Sequence, residues 1–580
     1  MKAAGRLIGL VLVLLAPVLL LYVTPGTALE WVNVTDERLL NADREASNWL
    51  TFYRTYNGWR YSPLSQVNRQ TVQKLVPKWI FSLGEVGNQE GTPVVNNGIM
   101  VVTAGAPTLT RQRVYALDAA TGNLLWKHEV KLPEDLPELA RRLTHNRGVA
   151  LYQDKVYFGT LDARLIALNA KTGELAWEKT VADKTEGYFV TMAPLAVKGK
   201  IILGISGPGE MGQRGFVEAF SADDGKSLWR TYTIPAAGEK GSDTWPGDTW
   251  KNGGGAVWLT GTYDPETNLL YFGTGNPAPW IAQMRPGANL WTNSSIALDV
   301  ETGNIKWGYQ HLANDGWDYD TAMEHLVMEV TKGGRWVKAV VQANKLGFVN
   351  VLDRTEGQLV SSELFRNDMT WFESRDPATG KGIPNQKLVP QPGGDKVEIC
   401  PAAAGATSWG TKPYNPETGY MYIPCIETCM RYSYEKELKY EKGKMYMGAT
   451  SEMFIKGDQA GVLRAFDVAR GKVVWEWWNK LPLVGAGATT TAGGLVFIGT
   501  PEGKVVGLDA KTGEQLWEFN AGMGVSGSTI TYSVGGKQYL ATVAGGLLRS
   551  AVAFGTEPKL ADAVRRMNFG GMVIGFGLAE

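Results

Sequence analysis

Histidine is nearly missing from this chain. Four stand in 580 residues, His128, His145, His311 and His325. They are too scattered to suggest a zinc site of the His/Cys kind. Cysteine is rarer still, with only Cys400, Cys425 and Cys429. None of the three begins a Cys-x-x-Cys-His run, so a covalently attached c-type haem is excluded and no haem is expected. An odd count also leaves at least one thiol unpaired. Net charge is absent, because 58 Lys and Arg balance 58 Asp and Glu. No overall field therefore draws nucleic acid or an anionic membrane.

Glycine (70) and tryptophan (21) are plentiful instead. Many glycines imply many tight turns. At the N-terminus, Lys2 and Arg6 precede an apolar run from Leu7 to about Val23, followed by Gly26-Thr27-Ala28. Residues 1–28 read as a signal peptide cut after Ala28, with an uncleaved anchor as the alternative. The remaining 29–580 are expected in the periplasm, where disulfides are permitted. No cysteine follows the apolar run, so a lipid anchor is not expected.

One pattern recurs. It reads A-L-D-A-A-T-G-N-L-L-W at 116–126 and A-L-N-A-K-T-G-E-L-A-W at 167–177. Further copies lie at 219–229, 297–307, 465–475 and 507–517, and a weaker one at 351–360 lacks the tryptophan. Asp or Asn starts a side-chain turn, Gly supplies a positive φ, and the next strand carries Trp. A strand such as V-Y-F-G-T at 156–160 lies upstream. Each copy is thus a small antiparallel sheet that cannot bury both faces alone. Seven copies, with one more unit made from both termini, predict an all-β chain: a single eight-bladed propeller over 29–580, its tryptophans docking blade on blade. The Trp-Asp pair of WD-type propellers is a poor match.

Function is expected where the repeat is interrupted. One interruption is G-I-S-G-P-G-E-M-G-Q-R-G at 204–215, with Glu210. Another runs from W-K-N-G-G-G-A-V-W at 250–258 to Y-F-G-T-G-N-P-A-P-W at 271–280, with Asn276. The third is N-D-G-W-D-Y-D-T-A at 314–322. If that stretch is extended, Asp318 and Asp320 point the same way, about 7 Å apart along the chain, between aromatic walls. A solvated loop is the plainer reading. Oxygen donors without histidine or thiolate suit a hard cation. An aromatic such as Trp258 suits a flat ligand.

Together F-G-T-G-N-P-A-P-W, W-x-G-D-x-W-K-x-G-G-G, W-D-Y and the tryptophan repeat resemble the quinoprotein alcohol dehydrogenases, from about Trp49 to the C-terminus. The resemblance implies an eight-bladed propeller that holds pyrroloquinoline quinone (PQQ) and one metal ion in a central funnel. It implies Glu210, Asn276 and Asp318 as metal ligands, with Asp318 also the catalytic base. It places Trp258 under PQQ, Glu90, Arg147, Thr191, Ser206 and Gly207 at the cofactor's polar rim, and Lys345 near the quinone oxygens. It pairs Cys400 with Cys429 and leaves Cys425 free. It implies oxidation of a small alcohol and electron transfer to a separate cytochrome c or similar carrier; a homodimer is left open.

Some positions depart from the family. Arg141-Arg142 stand where two adjacent cysteines are usual, and are expected at the funnel mouth. Ala256, Ser408 and Gly485 replace a threonine, an asparagine and a tryptophan. Asp320 matches lanthanide-dependent members, whereas calcium-dependent ones carry a small residue there. A third carboxylate favours a trivalent ion, with calcium, and Asp320 turned outward or paired to Lys345, as the alternative. Two other readings remain: a non-catalytic propeller scaffold with a degenerate PQQ site, and a glycosidase using Asp318 and Asp320, which are too close to flank a bond from opposite sides.

Overall fold

In the computed structural model, residues 29–86, 88–106, 108–546 and 555–579 are described. The expected signal peptide lies outside them. Among the described residues no helix is long and apolar enough to cross a membrane.

The chain is mostly β. The described residues form eight sheets of four strands or more, together with a two-stranded and a three-stranded sheet. A representative sheet runs Val94–Asn96, Ile99–Ala104, Arg111–Asp118 and Leu124–Lys131, each strand antiparallel to the next. Its turn forms as the residues dictate. Asp118 Oδ1 accepts from the backbone N–H of Ala120 at 2.8 Å, and Gly122 takes φ +74°. One sheet joins the two ends of the chain: Leu75–Ser82 pairs with Met572–Leu578, which continues into Lys537–Ala544 and Ile530–Val534.

The repeat tryptophans link each sheet to the next. Trp126 Nε1 donates to the Ala170 carbonyl at 2.9 Å, and a methyl group on Gly173 would meet the Trp126 ring at 2.6 Å. Glycine is thus required both for its positive φ and for the indole above it. The same bond joins Trp177 to Ala222, Trp229 to Val300, Trp307 to Arg354 and Trp475 to Ala510. Trp517 donates to Leu75 and Trp79 to Ala119, which returns the series to the first sheet. Trp79 lies outside the repeats legible in the sequence, because the other strands of its sheet come from the far end of the chain.

One joint has no indole. Ser361 stands at the tryptophan place of the weak copy. There Lys332 Nζ donates to the Val468 carbonyl at 3.2 Å, and Gly471 faces the Glu363 side chain. A lysine stem can cover apolar surface while its ammonium takes the carbonyl, so it substitutes for indole in both respects.

Cys400 and Cys429 form a disulfide, and Cys425 is free and buried. Burial pushes the Cys425 thiol up to about 12, so it is inert. Removing the bridge with Cys400→Ser and Cys429→Ser is expected to lower stability by roughly 3–4 kcal/mol, the loop-closure entropy of a 29-residue separation. Denaturant titration checks this; an unchanged midpoint would contradict it.

Candidate active site

The residues expected to bind ligands gather around one cavity of about 530 Å³. Glu90, Arg147, Thr191, Ser206, Gly207, Glu210, Trp258, Asp318, Asp320 and Lys345 all line it. Asn276 does not. It stands behind the wall, its Nδ2 donating to the Gly209 and Pro277 carbonyls at 3.1 and 3.2 Å. Its backbone N–H donates to Asp320 Oδ1 at 2.7 Å.

The two aspartates meet on one ammonium. Lys345 Nζ lies 2.9 Å from Asp320 Oδ2 and 3.3 Å from Asp318 Oδ2, and donates to the Asp318 carbonyl at 2.7 Å. The stretch does not meet the extended-strand condition: Asp318 has φ +65°. Both carboxylates nevertheless face the cavity, while Trp317 and Tyr319 are buried, with ring centroids 5.7 Å apart. The solvated-loop reading fails for the same reason, since Asp320 is only 3 % exposed. The pairing of Asp320 with Lys345 is the arrangement that the sequence reading assigned to the calcium alternative.

Electrostatics follow from this crowding. Burial, and then the neighbouring carboxylates of Asp320 and Glu210, raise the Asp318 carboxyl well above the usual range, with Lys345 opposing them. Burial opposes the charge on Lys345, but Asp318 and Asp320 outweigh it and raise the ammonium. The cluster therefore holds three carboxylates against one ammonium.

Glu210 sits on the short turn Pro208–Met211, entered through Gly207 at φ +110°. That turn is pinned by Trp280 Nε1, which donates to the Gly209 carbonyl at 3.2 Å. Across the site, Arg147 meets Glu90 at 3.0 Å and donates to Thr191 Oγ1 at 2.8 Å. Thr191 and Ser206 hydroxyls are 2.9 Å apart. The Arg147 guanidinium lies 5.2 Å from the Trp258 ring centroid and 5.9 Å from that of Trp409. Such a fork of fixed donors beside an aromatic face suits a flat, carboxylated ligand.

The donor set fits a hard cation in kind. Its ligands are oxygens, and buried Asp318 Oδ1 has no hydrogen-bond partner among the described residues. In this structure the oxygens of Glu210, Asp318 and Asp320 do not all lie within 4.8 Å of one another. Among the described residues, the group that does meet that distance is Asp368 with Cys400 and Cys429, whose two sulfurs are taken up by the disulfide.

Arg141 and Arg142, expected at the funnel mouth, do not line the cavity themselves. Both are exposed; Arg141 donates to the Leu136 and Glu134 carbonyls, and Arg142 pairs with Glu138. They lie on the helix Glu138–Leu143, whose other face, Leu139 and Leu143 four residues apart, lines the cavity. Ser408 lines it; near Gly485 the wall is made by Val484. Sequence reasoning missed His145, Trp280, Trp409 and the apolar wall of Ala402, Ala403, Ala404, Met447 and Met453. The H-N-R-G and T-S-W-G stretches were the available signal for His145 and Trp409; alanine and methionine carry none.

Residues 49–362 match the family model described as "Glucose/ethanol/alcohol dehydrogenase, beta-propeller domain" of the PQQ type. Residues 445–556, which hold the copy at 465–475 and the one at 507–517, match the model for outer membrane protein assembly factor BamB. The chain is 40 % identical to quinoprotein alcohol dehydrogenase PedH of Pseudomonas putida, over 81 % of each chain. It is 34 % identical to a lanthanide-dependent methanol dehydrogenase of Methylacidiphilum fumariolicum, over 81 % of this chain and 79 % of that one. A europium-containing methanol dehydrogenase superposes with a TM-score of 0.86 at 31 % identity, covering 93 % of this chain and all of the other. With the oxygen-lined cavity and the tryptophan-linked sheets, these likenesses make the chain a member of the PQQ-dependent quinoprotein alcohol dehydrogenases, a family of β-propeller oxidoreductases.

Proposed function

We propose that the protein oxidises an alcohol to an aldehyde with PQQ and one metal ion, in the funnel of an eight-bladed propeller whose blades are the eight large sheets. The observation that carries this reading is the buried Asp318–Lys345–Asp320 cluster with its unpartnered oxygen. When bound, PQQ would supply a hydride acceptor and the metal a Lewis acid. The chain's own residues do the rest. Asp318 accepts the hydroxyl proton at its free Oδ1. Lys345 holds Asp318 and Asp320 by charge and would serve the quinone end of the cofactor. Glu210, Asp318 and Asp320 would hold the metal, with the Asn276 side-chain oxygen as a further donor. Trp258 would support PQQ, and Glu90, Arg147, Thr191, Ser206 and Gly207 would bind its rim. Electrons leave to a separate cytochrome c or similar carrier in the periplasm, after export directed by residues 1–28.

The alanine and methionine wall supports a substrate with an apolar body. Pro401 accepts from Tyr319 OH at 2.6 Å, and the backbone N–H of Ala406 donates to Lys345 at 2.9 Å. Ala402–Ala404 therefore lie between the attachments to the Asp318 loop and to Lys345, beside the cavity, where a carbon tail would lie. In a dye-reduction assay with PQQ and metal, 1-hexanol is expected to exceed glycerol in kcat/KM by about 100-fold or more, since each buried methylene contributes about tenfold or more. Ala403→Phe should shrink that ratio at least about tenfold. No dye reduction with any alcohol sinks the enzymatic reading and leaves the scaffold.

A further inference from the structure

Asp318 is held in a backbone conformation that aspartate seldom adopts, at φ +65°. Such a residue persists only where its surroundings over-determine it. Those surroundings converge on Asp315. Its carboxylate, 1 % exposed, accepts from the backbone N–H of Trp317 at 2.9 Å through Oδ1 and from that of Tyr319 at 2.7 Å through Oδ2. These are the two amides that flank Asp318. Asn293 Nδ2 donates to Asp315 Oδ2 at 3.1 Å and to the Tyr319 carbonyl at 2.8 Å. The buried guanidinium of Arg285 donates to the Asp315 carbonyl. None of Asp315, Asn293 and Arg285 lines the cavity.

We infer that Asp315 is a positioning residue: its carboxylate straddles the two amides beside Asp318 and, with Asn293 as a strut, aims the Asp318 side chain into the cavity. The inference rests on the reading of Asp318 as base and oxygen donor. The geometry calls for two acceptor oxygens on one short planar group. Asparagine has nearly the same shape but would set an amide N–H against one of the two backbone N–H groups. Alanine would leave both amides without acceptors in a dry interior.

The test uses full-length protein and its Asp315→Asn and Asn293→Ala variants. Three quantities are read: melting temperature, kcat and KM for one alcohol after PQQ and metal loading, and the La³⁺ or Ca²⁺ concentration that half-saturates the change in tryptophan fluorescence. The expected result for Asp315→Asn is kcat at least about tenfold lower with KM within about threefold, because a misplaced base costs turnover more than binding. Half-saturation should need at least fivefold more metal. Asn293→Ala should shift both in the same direction by less. A purely structural role would lower the melting temperature but leave kcat per folded molecule and the metal titration unchanged, and that pattern overturns the inference. If Asp315→Asn does not fold, Asn293→Ala decides by the same two readouts. If the wild type oxidises no alcohol, the reading of Asp318 as base is lost. The metal titration then still decides whether Asp315 orients it.

Discussion

Replacing Asp318 with asparagine is expected to lower turnover of alcohol roughly 10³-fold, within the range that a general base contributes. Asparagine keeps an oxygen in place but cannot take the hydroxyl proton. The structure makes this a demanding test, because Asp318 Oδ1 has no partner among the described residues and its other oxygen already meets Lys345 at 3.3 Å. Loss of the base should leave cofactor binding intact, since Arg147, Glu90 and Thr191 hold one another at 2.8–3.0 Å without it. Quenching of tryptophan fluorescence by added PQQ measures that binding. Retained turnover in Asp318→Asn would remove the proton-transfer role; lost turnover together with lost PQQ binding would show that the substitution acted on the fold instead.

Apo-protein supplied with PQQ and La³⁺ is expected to turn over alcohol, and Asp320→Ala to lose that activity about 100-fold or more, beyond the tenfold to 100-fold typical of residues that only support a ligand. Glu210, Asp318 and Asp320 place three carboxyl groups around one cavity, with one ammonium between two of them, and a bound cation would favour all three in their charged form. A trivalent ion meets that excess better than a divalent one and uses more oxygen ligands. The arrangement also sets the competing outcome. Asp320 Oδ1 accepts from Asn276 and Oδ2 pairs with Lys345, so Asp320 is able to serve as the lysine's counter-ion alone. Full activity with Ca²⁺, unaffected by Asp320→Ala, would assign it that role and reject the trivalent ion.

The sequence by itself determined the β architecture and most of the joints between sheets. A turn of Asp, Gly and Trp at fixed spacing is local chemistry: the side-chain cap, the positive φ and the indole all act within one unit and its neighbour. It also carried polar residues of the cavity: Glu210 and Asp318 stand where an otherwise regular pattern is interrupted, while Lys345 and Arg147 were implied only by the family resemblance. Only the tertiary structure decided what those residues do to one another. Asp318 and Lys345 are 27 residues apart, yet they share a hydrogen bond. The left-handed turn at Asp318 is braced by Asn293 and Arg285, which approach from the loop that precedes the strand Ser294–Asp299. The arginine pair at 141–142 stays on the solvent side of one short helix, which sends Leu139 and Leu143 toward the cavity instead. Trp79 escaped notice because its sheet is assembled from both ends of the chain. Periodicity reports which side chains share a face within one element. Which faces meet across hundreds of residues is fixed by closure of the whole set of sheets, and no local pattern encodes it.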